Sequence, residues 1–275
     1  MSAADGATPP EPEEPGHGDP ETFVSDGLVL AHHLARPHRV PSSGVPGLVL
    51  THGFPSGQGG GRQASGRSYP ELADRIATEM GWMVLAFNFR GCGESQGNFS
   101  LHGWLRDLGN AAEFLRSHAG VRAVWTAGFG TGGALSVCAA ADDPDIVGVA
   151  ALAAPADFDD WAGHPRRLLQ HSRDIGVISD RSFPPGFDQW SKELRQVRAV
   201  EAAARLAPRP LLVLHGDDDA VVPLFDARVV ADAHGEAEMR VIEGAGHQLR
   251  HDPRAIAVFL GWLERQRNAQ VAGSR

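Results

Sequence analysis

The chain is poor in cysteine, in basic residues and in long apolar runs. Only Cys92 and Cys138 occur among its 275 residues. One falls in an expected loop and the other in an expected helix. A chain of this length needs no covalent staple, so both are read as reduced thiols and a cytoplasmic location is expected. Lys and Arg number 25 against 34 Asp and Glu, a net charge of -9, and such a balance repels phosphate backbones and argues against a nucleic-acid partner. No apolar run approaches the roughly 18 residues that a membrane-spanning helix requires, so no membrane partner is expected. Residues 1–20, MSAADGATPPEPEEPGHGDP, have neither a basic start nor an apolar stretch, and they are not expected to act as a signal peptide or anchor. Together with residue 21 they are expected to form a disordered acidic tail.

What the chain does have is the composition of a globular protein, 42% hydrophobic and 21% charged. From Phe23 onward, short apolar runs alternate with longer amphipathic ones, the pattern of βαβ units. Strands are expected over 47–51, 82–89, 121–127, 147–153, 210–214 and 239–242. Segment 23–34 and the run before Pro41 are expected to form an antiparallel opening pair. Helices are expected near 69–80, 101–118, 131–141, 224–234 and 253–266, and a Gly- and Ser-rich loop over 55–67. The β pattern lapses over about 156–206, where Trp161 and Trp190 fall, and a helical lid over the carboxyl edge of the sheet is expected there. The fold class is α/β, a mostly parallel central sheet with helices on both faces. It is expected as a single domain over 22–268, followed by a flexible C-terminus over 269–275.

In open α/β sheets the working residues lie in loops at the carboxyl ends of strands. Four such loops hold reactive or glycine-rich sequence: His52-Gly53-Phe54, Gly128-Phe129-Gly130-Thr131-Gly132, the stretch from His215-Gly216 through Asp217-Asp218-Asp219 to Pro223, and Gly244-Ala245-Gly246-His247. The expected strand ending at 127 meets the expected helix starting at 131 with no spare loop residues, so the chain must turn sharply at 128–132.

These motifs, in the order elbow, acid, histidine, resemble those of α/β hydrolases of the serine aminopeptidase and monoglyceride-lipase branch, over roughly 23–265. The resemblance implies that Asp219 is the acid, that His247 is the general base, and that the backbone N–H groups of Phe54 and Thr131 form an oxyanion hole. It also implies that the segment 90–95, Arg90-Gly91-Cys92-Gly93-Glu94-Ser95, shapes the site without performing chemistry. The chain departs from the family pattern at the elbow, where Gly-x-Ser-x-Gly is expected and Gly130 stands at the nucleophile position. An acyl-enzyme cannot form on Gly130. Thr131 should point into its own helix, and neither cysteine lies in a base-adjacent, electropositive motif. A water in the space left by the missing side chain, deprotonated by His247, is the better nucleophile.

The same residues also fit other motifs in part. Gly128, Gly130 and Gly133 fit G-x-G-x-x-G between a strand and a helix, but the next strand closes in Ala154-Pro155 rather than in a ribose-binding acid. The stretch 57–61 lacks the Gly-Lys-Ser/Thr ending of a phosphate loop and reads as a flexible connection. Asp217, Asp218 and Asp219 read as a solvated turn with one oriented acid rather than a metal site. His251, four residues after His247, has no evident third ligand beside it. His52 and His215 are expected to brace their loops. No cofactor and no metal is called for, and the expected partner is a small-molecule substrate or ligand under the lid. Three functional readings stay open: a hydrolase of small esters or amides working through water, a catalytically inactive ligand-binding pseudo-hydrolase, and a non-hydrolytic His-Asp enzyme such as a lyase or a cofactor-free oxygenase.

Overall fold

The computed structural model describes residues 21–55 and 68–273. The acidic tail up to residue 20, residues 56–67 of the Gly- and Ser-rich loop with the 57–61 stretch, and residues 274–275 lie outside the described residues. Three strands, β3 (Val45–Thr51), β4 (Met83–Phe87) and β7 (Leu211–Gly216), are buried along their whole length. That is the signature of strands covered on both faces, where the usual alternation of apolar and polar residues has no use. Around them the described residues form one eight-stranded sheet in the order β1-β2-β4-β3-β5-β6-β7-β8. The further strands are β1 (Glu21–Ser25), β2 (Leu28–Ala35), β5 (Val121–Phe129), β6 (Ile146–Leu152) and β8 (Glu238–Ile242). From β4 to β8 every pairing is parallel, and β1 and β2 add an antiparallel edge.

Alternate residues of each strand face opposite helical layers, as the period of two in a strand requires. Val49 and Val124 face a core shared with α2 (Leu101–Arg116), α3 (Thr131–Asp142), α7 (Ala199–Leu206) and α8 (Leu224–His234). Leu48, Leu50 and Trp125 face the other core, built with α1 (Ser68–Met80) and α9 (Pro253–Gly273). The expected α/β class with helices on both faces is what the structure shows. Between β6 and β7 the chain forms α4 (Asp159–Gly163), α5 (Pro165–Asp174), α6 (Phe187–Gln196) and then α7. α7 buries Ala199, Ala202, Ala203 and Leu206 in the first core. α9 runs to Gly273, past residue 266 where the amphipathic pattern had been expected to end.

The opening pair differs from expectation. Both of its strands lie within 21–35, joined by a two-residue turn at Asp26 and Gly27 with φ of 50° and 78°. Asp-Gly with both residues at positive φ is the turn whose twist matches an antiparallel pair. The segment 36–40, with Pro37 inside it and Pro41 after it, contributes no strand.

The end of β4 is fixed by a buried ion pair. Arg90 carries its guanidinium against Asp107 of α2 (Nη2 to Oδ1, 2.6 Å), with both side chains almost completely buried. The Arg90 amide donates to Asp107 Oδ2 at 3.0 Å. Ser25 of β1 donates to Asp107 Oδ1 at 2.6 Å, and Trp104 Nε1 donates to the Arg90 carbonyl at 3.0 Å. One carboxylate therefore ties the edge hairpin, the loop after β4 and α2 together. Removing one partner of a buried pair leaves the other charge uncompensated, at a cost of about 3–5 kcal/mol. Asp107→Ala should lower the unfolding free energy by that order in urea titrations; a loss below about 1 kcal/mol would show that the pair does not hold this corner.

Candidate active site

The sharp turn expected at 128–132 is present, with Gly130 as the single residue between β5 and α3. Gly130 has φ 54° and ψ -126°, a region in which a non-glycine residue carries strain. Its N–H donates to Leu152 O at 2.8 Å, and its carbonyl accepts from Gly133 and Ala134 at 2.9 and 3.2 Å. The turn is thus pinned to β6 on one side and to its own helix on the other.

The neighbouring glycines are there for a different reason. A Cβ at Gly128 would overlap the Gly132 backbone and Thr51 Oγ1, and one at Gly132 would overlap the His52 carbonyl. A Cβ at Gly133 would lie 2.8 Å from the Gly128 carbonyl. These obstacles are mostly backbone and cannot swing aside. At Gly130, by contrast, the atoms nearest a Cβ would be His247 Nε2 at 3.4 Å, Gly53 Cα at 3.6 Å and His247 Cε1 at 3.7 Å, which is ordinary van der Waals contact. The glycines around Gly130 let β5, α3 and the loop after β3 touch, while Gly130 opens onto an imidazole.

That imidazole comes from the loop after β8. His247 Nδ1 lies 2.9 Å from Asp219 Oδ2, the His247 side chain being 30% exposed and that of Asp219 fully buried. An ionised carboxylate only accepts hydrogen bonds, so Nδ1 carries the proton and Nε2 presents its lone pair towards Gly130. Asp219 is held by more than the histidine. Its Oδ1 accepts from the amides of Val221 and Val222 at 2.8 and 2.9 Å, and His215 Nε2 stands 3.4 Å from its Oδ2. Burial pushes the Asp219 carboxyl up, but the hydrogen bonds from His215, His247 and the two amides outweigh it and hold the group well below its usual range. A buried carboxylate that stays ionised beside an imidazole can orient that ring and stabilise its protonated form.

The two loops are also bound to each other. Asp217 Oδ1 accepts from the Gly244 amide at 2.6 Å, the Asp218 amide donates to Ala245 O at 3.1 Å, and Gly216 lies so close to the Ala245 carbonyl that a Cβ there would overlap it. The three consecutive aspartates therefore do different work, and only Asp219 faces the histidine.

Phe54 lies in the loop after β3, next to Gly53. Thr131 opens α3, where the first-turn amides have no acceptor within the helix. His52 braces the loop: its Nε2 accepts from the Phe89 amide at 3.2 Å and its Nδ1 donates to the Gly53 carbonyl at 2.8 Å. Burial holds its pKa down at about 4, and the ring is neutral. His215 is likewise a brace, donating to the Val222 carbonyl at 2.9 Å while fully buried. Cys92 and Cys138 are buried, and burial pushes the Cys138 thiol up to about 12, which leaves it no thiolate at neutral pH. His251 is exposed and its Nε2 accepts from Arg250 at 2.8 Å.

The two tryptophans of the 156–206 segment separate. Trp190 is buried and donates to the Phe99 carbonyl at 3.2 Å, a packing position. Trp161 is half-buried against Phe54, their rings 5.1 Å apart, and His171 of α5 stands 6.1 Å from the same ring. His171 and Asp107 were not singled out by sequence. The helical period around His171 showed only that a helix was there, and nothing in the order of residues joins Asp107 to Arg90.

The sequence model described as "Alpha/beta hydrolase family" matches residues 48–260. A monoacylglycerol lipase of Mycolicibacterium smegmatis is 25% identical over 251 residues, 77% of this chain and 84% of the lipase. A lysophosphatidylserine lipase of Xenopus tropicalis is 24% identical over 196 residues, 67% of this chain, and the matched stretch spans only 45% of that longer protein. Among solved structures, Est1E from Butyrivibrio proteoclasticus with ferulic acid bound superposes with a TM-score of 0.70 at 20% identity, covering 92% of this chain and 99% of that one. The α/β hydrolase GrgF from a Penicillium species superposes with a TM-score of 0.70 at 18% identity, covering 91% and 99%.

The contrast between the glycines is open to measurement. Gly132→Ala should cost more than about 3 kcal/mol or prevent folding, because backbone must move. Gly130→Ala should fold and lose only about 1–3 kcal/mol to its positive φ. Equal losses in denaturant titrations would show that packing does not distinguish the two positions.

Proposed function

The chain belongs to the alpha/beta hydrolase family, and on that premise we propose that its site hydrolyses small ester or amide substrates without a serine, Gly130 standing where the nucleophile would be. His247 is the general base and Asp219 holds its tautomer and stabilises the imidazolium that forms. The amides of Phe54 and Thr131 are the oxyanion donors. The observation that carries this reading is the 3.4 Å between the Cβ position of Gly130 and His247 Nε2, which puts a side chain at 130 within reach of the base.

With no hydroxyl at 130, the attacking group is a water in the space beside Nε2. It gives its proton to His247 as its oxygen adds to the substrate carbonyl, and the imidazolium returns that proton to the departing alkoxide or amine. No covalent intermediate forms. In subtilisin, loss of the nucleophilic serine lowers turnover about 2 × 10⁶-fold, while the rest of such a site retains roughly 10³- to 10⁴-fold acceleration over water. The route therefore suits activated substrates with good leaving groups. The substrate binds under a cover formed by α4 to α6 of a single domain. The buried cysteines fit a cytoplasmic setting, and no helix among the described residues is long and apolar enough to cross a membrane.

Gly130→Ser should raise kcat/KM on p-nitrophenyl acetate and butyrate by at least about a hundredfold, and His247→Gln in that background should remove the gain. A Gly130→Ser protein that folds but hydrolyses neither ester faster than the native chain would contradict the proposal.

A further inference from the structure

Outside the dyad, the described surface near Phe54 carries a groove of about 490 Å³, lined by Asp160, Trp161, His164, Arg167, Leu168 and His171. It lies between α4 and the amino-terminal part of α5. Its apolar wall is Trp161 and Leu168; Trp161 packs on the ring of Phe54, and the preceding residue, Gly53, has its Cα 3.6 Å from the Cβ position of Gly130. These two contacts, Trp161 on Phe54 and Gly53 on Gly130, link the groove to the dyad.

The other wall carries the guanidinium of Arg167 with His164 and His171, in a chain whose net charge is -9. His164, Arg167 and His171 are spaced by three and four residues, which puts them on one face of α5. The remaining arginines of that helix are committed elsewhere: Arg166 lies over the Phe187 ring at 4.9 Å, and Arg173 donates to the carbonyls of Arg181 and Phe183 at 3.4 and 3.0 Å. Arg167 is exposed, and its guanidinium makes no ion pair, hydrogen bond or ring contact among the described residues. Leaving a guanidinium unpaired beside an apolar wall, among so many carboxylates, suits a groove that takes an anion. Asp160, at the α4 end, works against an anion there; its charge is also felt by Asp226, whose carboxyl is pushed up by burial, with Asp157 and Asp160 adding to the effect.

We propose that this groove is the specificity subsite for a substrate carboxylate, which pairs with Arg167 while an aromatic or short aliphatic body lies on Trp161 and Leu168 towards the dyad. The substrate class is then esters or amides bearing a free carboxylate a few bonds from the cleaved carbonyl. This rests on the proposed hydrolytic site for its orientation, but the groove binds its anion whatever stands at position 130.

The test uses the native chain with 4-phenylbutyrate and its neutral isostere 4-phenylbutyramide, titrated calorimetrically at low salt. The acid should bind about fivefold or more tightly than the amide, as expected for a charge-assisted guanidinium–carboxylate pair. Arg167→Gln should erase that difference without weakening the amide, and Asp160→Asn should widen it. Equal binding of acid and amide, binding of neither, or an acid preference that survives Arg167→Gln would overturn the proposal. Esterase assays of Gly130→Ser on p-nitrophenyl butyrate keep the two readings apart. Loss of the acid preference with a working esterase removes the groove alone, and an inert Gly130→Ser with the Arg167-dependent preference intact removes the hydrolytic reading alone.

Discussion

The geometry of the site depends on one close approach, that of the loop after β3 to the turn between β5 and α3. Gly128 and Gly132 let Thr51, His52 and the first turn of α3 meet at distances that leave no room for a Cβ. With β3, β5 and β6 adjacent in the sheet, that contact sets Gly53 against Gly130. His52 reinforces it with two hydrogen bonds and a neutral ring. The strain of φ 54° at Gly130 follows from joining strand to helix through a single residue, and a glycine there relieves the penalty that a side chain would carry.

The second half of the site is assembled independently, from the loops after β7 and β8. Backbone hydrogen bonds and the Asp217–Gly244 contact hold these loops together, while Asp219 collects four donors around a buried carboxylate. The machinery that orients His247 makes no use of position 130, so a change there leaves the dyad intact. The proposed function relies on this separation: the His247–Asp219 pair is built without position 130, and the proposed oxyanion amides of Phe54 and Thr131 belong to the other half of the site.

Much of this was legible in the sequence because the fold's strongest signals are local. Fully apolar five- to seven-residue runs mark strands buried on both faces, and His247 and Asp219 follow their strands in the order that the resemblance implies. The glycines of 128–132 could be placed at a sharp turn, but sequence could not separate those where packing leaves no room for a Cβ from the one that has room and faces His247, because that depends on Thr51 and His52 some eighty residues earlier. The same limit hid Asp107, whose tie to Arg90 joins an amphipathic helix to a loop, and His171, which only tertiary packing brings to Phe54. It also left Trp161 and Trp190 alike until the structure showed one beside Phe54 and the other in the core. The opening hairpin was misplaced because Asp26-Gly27 sits inside what reads as one continuous strand, and the turn chemistry outweighs the apolar run.

The central claim is that a hydroxyl at position 130 would stand in register with His247 and the two amides. It is tested most directly by mass spectrometry of the native chain, Gly130→Ser, and Gly130→Ser combined with His247→Gln after exposure to a fluorophosphonate. A serine is attacked at phosphorus through its oxygen, with fluoride leaving, only where a base removes its proton and donors hold the phosphoryl oxygen. The expected result is a single phosphonyl adduct on Ser at position 130 in the first variant, and none in the native chain or the double variant. Absence of an adduct in folded Gly130→Ser, or equal labelling with and without His247, would contradict the account.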